Sequence, residues 1–145
     1  MPLKNSLALF EIYMYRYLEH TADELLEVQA TSLAEALSDA VLGSFDLIGA
    51  GVNATTQFEI EVHSPTLKDL VVDLLQQVVA QCEIREISPI SVQVLEVNED
   101  APFARIVIFG DQVPPANQIK AVTYHLLKVE KNKEGDWVFN ILFDV

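Results

Sequence analysis

The chain of 145 residues has 22 acidic against 9 basic side chains, a formal net charge of −13 at pH 7, 50% hydrophobic residues and one cysteine. A domain of this length buries about 68–70% of its unfolded surface, so a single core over residues 1–145 needs neither disulfide nor metal. An internal disulfide at Cys82 is excluded, no apolar run approaches the roughly 18–20 residues of a bilayer span, and a polyanion with scattered bases is repelled by phosphate backbones. Membrane insertion and direct tight nucleic-acid binding are therefore not expected. No charged and apolar leader opens the sequence, so a cytoplasmic chain is expected, with a basic protein or a hard cation as its natural partner.

In chain order, the segments Ile12–Leu18 and Leu25–Ala30 are rich in strand-forming side chains. Leu33, Ala36, Leu37, Ala40, Val41, Phe45 and Ile48 then follow helical spacing, with Ser32 and Glu35 as a capping box and Gly49 and Gly51 as the stop. Phe58, Ile60 and Val62 alternate with Glu59 and Glu61, the pattern of a half-buried strand with an acidic outer face. A second helical stripe, started by Pro65 and Thr66 with Asp69 three residues after the threonine, runs from Leu67 through Leu70, Val71, Leu74, Leu75, Val78 and Val79 to Cys82, which makes the thiol a packed core group. Four more strands are expected near Ile90–Val97, Ala104–Phe109, Ile119–Val129 and Val138–Asp144, the last two joined through a turn at Asn132–Asp136. Two strands, a helix, a strand, a helix and four strands predict an α+β fold, two amphipathic helices on a mostly antiparallel or mixed sheet.

Charge is unevenly placed. Between Tyr17 and Leu67 there are nine Asp or Glu and no Lys or Arg, whereas Lys120 to Lys133 holds four of the nine bases, so one part of the molecule carries a negative field. Glycine-rich phosphate loops and a G-x-S-x-G nucleophile elbow are absent, and His20, His63 and His125 have no second ligand at zinc spacing. Asp23 sits between two strands, where it either caps a turn or projects from a rigid edge. Asp144 lies one residue from the carboxylate of Val145, an arrangement that suits oxygen ligation of Ca²⁺ or Mg²⁺ or belongs to a solvated tail. In Ile119–His125, alternation puts Lys120, Val122 and Tyr124 on one face and Thr123 with His125 on the other. Lys120 is either an edge-strand lysine or a cation aimed at phosphate, and His125 either a hydrogen-bonded structural histidine or a catalyst.

Four blocks stand in a specific order: Tyr17-Leu18-Glu19-His20-Thr21-Ala22-Asp23, Ser32-Leu33-x-Glu35-Ala36, Ile119-Lys120-Ala121-Val122-Thr123-Tyr124-His125 and Phe143-Asp144-Val145. Together they resemble the archease family over Tyr15 to Val145, with residues 1–12 outside the match. The resemblance implies a non-catalytic cofactor of an RtcB-type RNA-splicing ligase, which joins tRNA halves with GTP and a divalent metal. Such a cofactor speeds guanylylation of the ligase and sustains its turnover. It also implies a divalent cation, calcium foremost and magnesium or manganese as alternates, on Asp23, Asp144 and a main-chain or terminal oxygen of Val145. Lys120 is implied as a functional residue, and His20 and His125 fall within the matched blocks as partner-facing candidates. The chain departs from the family after His20-Thr21-Ala22-Asp23, where Glu24 and Leu25 replace a small or apolar residue and glycine. This change implies a reshaped loop, with Glu24 as an added ligand or a surface charge. Two other readings are a small metal-dependent phosphohydrolase using Asp23 and Asp144 with Lys120 or His125, and a metal-independent, acidic, chaperone-like interaction module.

Overall fold

The computed structural model describes residues 15–18 and 23–145. The strands are β1 (Tyr15–Leu18), β2 (Asp23–Ala30), β3 (Thr56–His63), β4 (Ser88–Asn98), β5 (Phe103–Asp111), β6 (Ala121–Lys131) and β7 (Trp137–Asp144). Helix α1 (Leu33–Ile48) follows β2, and α2 (Leu67–Arg85) follows β3. The α+β class and the element order match the sequence expectation, while the expected segment Ile12–Met14 and His20 lie outside the described residues.

Both helices start where the capping logic places them. The Ser32 hydroxyl accepts the Glu35 N–H at 3.1 Å, and the Thr66 hydroxyl accepts the Asp69 N–H at 3.1 Å. Gly49, at φ +101°, ends α1 by donating its N–H to the Phe45 carbonyl, and Glu86 ends α2 in the left-handed conformation. Every residue of the first predicted stripe is buried, as is the second from Leu70 to Cys82; Leu67 is partly covered. Each fully buried Leu or Val of these stripes contributes about 1.5–3 kcal/mol. Burial also raises the Cys82 thiol to about 12, so it stays protonated and unreactive.

The sheet departs from expectation in being two sheets, both antiparallel. One has the order β1-β2-β7-β6 and joins the two ends of the described chain; the other, β3-β5-β4, is built from its middle. The division follows from which apolar rows meet. Phe58, Ile60 and Val62 stand opposite Ile108, Ile106 and Ala104, while Leu26, Val28 and Ala30 stand opposite Ile141, Phe139 and Trp137. Each helix touches strands of both sheets, α1 on β2 and β4 and α2 on β3 and β6, so one core fills the space. Asn132 closes the β6–β7 turn by accepting the N–H groups of Glu134 and Asp136, with Gly135 at φ +84°.

One half-buried acid sits on α1. Burial, reinforced by the nearby Glu35 carboxylate, pushes Asp39 up to about 6. The folded state therefore holds a proton that the unfolded chain releases near 3.8, and stability declines as pH rises from about 4 to 6. Asp39→Asn is expected to raise stability at pH 7.5 by about 1 kcal/mol after allowance for solvent screening. The gain should vanish near pH 4, as read by urea denaturation at both pH values; an equal gain at pH 4 would contradict the assignment.

Candidate metal centre

The site is built by the pairing of β2 with β7. Alternate residues Leu26, Val28 and Ala30 on β2 and Phe139, Ile141 and Phe143 on β7 are buried. A one-residue slip would turn these side chains outward, so the core pins the register. That register puts Asp23 directly opposite Asp144, and Asp144 in turn opposite Ala121. Side chains directly opposite in a ladder share a face, with Cβ atoms about 4.5–5.5 Å apart. The two carboxylates therefore face one another across the outer end of the sheet, flanked by a methyl group. Lys120 donates its backbone N–H to the Asp144 carbonyl at 2.8 Å, and its exposed side chain starts from the same edge.

No hydrogen bond or ion pair reaches the Asp23 or Asp144 side chain among the described residues. The ion pairs there join Arg16 to Glu27, Arg105 to Glu59 and Glu96, and Lys128 to Glu130. Below the carboxylates, on the same face, come the rows Leu25–Leu142–Thr123 and Glu27–Asn140–Lys128. Thr123 Oγ1 and Asn140 Oδ1 are buried there without a hydrogen-bond partner among the described residues. A buried, unpaired polar atom costs about 1–3 kcal/mol, so such atoms are usually served by water or an ion. Thr123 lies in the row next to the carboxylates and Asn140 one row further, with Leu25 and Leu142 between and Lys128 beside Asn140, so the hard donors gathered at one point are the two carboxylates, which suit a hard cation. Among the described residues no group of three or more His, Cys, Asp or Glu side chains is placed to hold a metal. A cation on Asp23 and Asp144 would draw its remaining ligands from main-chain oxygens, water or a partner.

Several expectations are corrected. Glu24 shares a row with Phe143, on the face opposite to Asp23, and its charge acts on Tyr17, so it adds no ligand to the pair. Leu25 sits in regular ladder pairing with Leu142, and no positive φ is required there. The strand expected from Ile119 starts at Ala121, and its alternation fails after Thr123. Pairing jumps from Thr123–Leu142 to Lys128–Asn140, so Tyr124, His125, Leu126 and Leu127 stand against Ile141 alone. His125 is exposed on this excursion, and Thr123 Oγ1 is buried without a hydrogen-bond partner among the described residues.

The excursion is tied to α2. The Tyr124 hydroxyl donates to Asp69 Oδ1 at 2.5 Å, which lowers the Asp69 carboxyl and pushes the phenol up to about 12. Leu126 has φ +60°, which costs a non-glycine residue on the order of 1–2 kcal/mol. Sequence reasoning missed this feature, because Ala121–Lys131 contains no glycine or proline to mark a break in the strand.

A separate cavity of about 400 Å³ lies between the helix C-termini and the loop from Pro114 to Ile119. Its lining includes Glu83 and Glu86 and no basic residue, the reverse of what a phosphate ester requires.

Residues 15–145 match the sequence model of the archease protein family (MTH1598/TM1083). The chain belongs to the archease family. An archease of Methanosarcina acetivorans is 34% identical over 140 residues, covering 90% of this chain and 95% of the relative; one of Methanosarcina mazei is 31% identical with the same coverage. In fold, the solution structure of protein 1598 of Methanobacterium thermoautotrophicum aligns with a TM-score of 0.76 at 19% identity, covering 90% of this chain and 98% of that one. The crystal structure of a Thermotoga maritima archease, described as a possible chaperone, aligns at 0.64 and 22% identity, covering 91% and 98%. The two-sheet arrangement with its paired helices is accordingly the archease fold. Among the described residues, no helix is long and apolar enough to cross a membrane.

Like charges facing each other in a ladder row are destabilising, by roughly 0.2–1 kcal/mol. With divalent cations chelated, Asp23→Asn or Asp144→Asn is expected to unfold at equal or higher urea concentration than the parent chain. A clear loss of stability in both variants would show that the carboxylates serve the fold instead.

Proposed function

We propose that this archease-family chain is a cytoplasmic protein activator of an RtcB-type RNA-splicing ligase. In this reading it promotes ligase guanylylation and multiple turnover in tRNA splicing, and does not itself join RNA. Asp23 and Asp144, with a main-chain or terminal oxygen of Val145, would hold a divalent cation, calcium foremost with magnesium or manganese as alternates. The observation that carries the reading is the register pair Asp23–Asp144 at the same sheet end as Lys120.

Each element of that end has a chemical task. The facing carboxylates attract a cation and lose their mutual repulsion once one is shared. When bound, a divalent cation supplies positive charge and exchangeable coordination positions for phosphate oxygens. Lys120, anchored by its N–H to the Asp144 carbonyl, offers a second positive charge suited to phosphate. The net charge of −13 repels RNA and favours approach to a basic protein surface. A phosphohydrolase reading finds no phosphate cradle in the acidic cavity near Ile119.

Calcium at about a hundred times its dissociation constant should add about 2.7 kcal/mol to the parent chain, and much less to Asp23→Asn or Asp144→Asn, as read by thermal melts with calcium or chelator. The functional experiment combines the chain with the RtcB-type ligase of the same cell, GTP, a divalent metal and an RNA with joinable ends. Guanylylated ligase and joined RNA per ligase are then followed over many turnovers. Stimulation is expected to fall about tenfold or more in each aspartate variant, with unfolding curves intact. Undiminished stimulation by both variants would favour the metal-independent, chaperone-like module, and phosphate release without ligase would favour an enzyme.

A further inference from the structure

The excursion of β6 puts two large apolar side chains in solvent, Tyr124 at 55% exposure and Leu126 at 50%. Leu126 does so in a left-handed backbone conformation, unsuited to a branched side chain. Glu86, the other non-glycine residue at positive φ among the described residues, ends a helix and so has a local reason; Leu126 ends nothing. Blunting an edge strand does not explain the choice, since β6 is at the edge of its sheet and a glycine or charged residue would break the ladder at lower cost. The excursion is also held in place. The Tyr124 hydroxyl is fixed to Asp69, and Leu127 packs against the core, so Leu126 is presented on a braced turn. A strained, braced and exposed hydrophobe points outward to a second surface.

The chemistry of that surface follows from the charges around the knob. Asp69 and Asp73 on α2 both act on Tyr124. Lys128, the base nearest in sequence after the turn, is 3.4 Å from Glu130. Asp23 and Asp144 lie two ladder pairs from Thr123, where the excursion begins, in the next row on the same face. Lys68 beside Asp69 and Lys120 beside Asp144 are two bases against the four carboxylates Asp23, Asp69, Asp73 and Asp144, and an apolar tip in this net negative setting is complementary to an apolar pocket rimmed by bases.

We propose that the β6 excursion is a docking knob, with Leu126 and Tyr124 entering an apolar pocket, rimmed by Lys and Arg, on the partner protein. The assignment rests on the ligase reading above and adds to it the part of this chain that seats the partner beside the Asp23–Asp144 pair.

Leu126→Gly separates docking from folding, because glycine removes the apolar tip and is at ease at φ +60°. Binding of the purified chain to the RtcB-type ligase is measured by calorimetry at low and high salt, alongside melting curves. Leu126→Gly is expected to bind about tenfold or more weakly while melting at or above the parent temperature. Leu126→Met, which keeps the bulk, should bind within about threefold of the parent, and parent affinity should fall with salt. Parent-like binding by Leu126→Gly overturns the inference while the ligase reading stands. A lowered melting temperature in Leu126→Gly assigns the side chain to the fold and also overturns it. A parent chain that binds no ligase ends both readings. Self-association of the parent in sedimentation, lost in Leu126→Gly, would make the occupant a second copy and overturn the chosen partner.

Discussion

The antiparallel pairing of β2 with β7 is the constraint on which the rest depends. It joins Asp23–Ala30 to Trp137–Asp144, segments more than a hundred positions apart, through eight consecutive register pairs. Past Glu24, its inner face is an apolar block of Leu26, Val28, Ala30, Trp137, Phe139, Ile141 and Phe143, and the side-chain period of two leaves one register that buries that block. The outer face inherits this choice. Asp23 faces Asp144 because Leu26 faces Ile141 and Val28 faces Phe139, so the core determines the geometry of the site through the backbone alone.

The sheet end gathers features that work against stability. Two carboxylates share a row, Thr123 and Asn140 hold buried oxygens without a partner among the described residues, and Leu126 adopts a disfavoured backbone beside an exposed tyrosine. The helices and the second sheet also show regular features: both helices are capped, their apolar stripes are buried, and Arg105 is bracketed by two glutamates on the outer face of the second sheet. Asp39 on α1, Glu86 at the end of α2 and the register shifts of β4 also depart from local rules, but the departures around β6 and β7 cluster, as expected of a site maintained for function.

Most of the secondary structure could be read from the residues, because helical and strand periods were clean and the caps were explicit. The Ser32 and Thr66 caps, the Gly49 stop, the buried Cys82 and the Asn132 turn all stand as read. The division into two sheets could not be read, since pairing depends on which apolar rows meet in space, and alternation within one strand says nothing about its neighbour. The Asp23–Asp144 pair was suggested by the family resemblance and not by local spacing, because no short-range pattern connects residues at the two ends of a chain. The excursion after Thr123 was hidden for a related reason. Val122, Thr123, Tyr124 and Val129 are good strand formers with no glycine or proline among them, while the excursion is held by a tertiary contact, Tyr124 bonded to Asp69 on α2.

The claim that the two aspartates act as one cation site is tested most directly by carbon NMR of their side-chain carboxyl groups during a calcium titration of the intact chain. The account predicts that the Asp23 and Asp144 resonances move together with a single midpoint, while Asp39 and Asp69, which lie on other elements, stay in place. Movement of only one of the pair, or separate midpoints for the two, would contradict it.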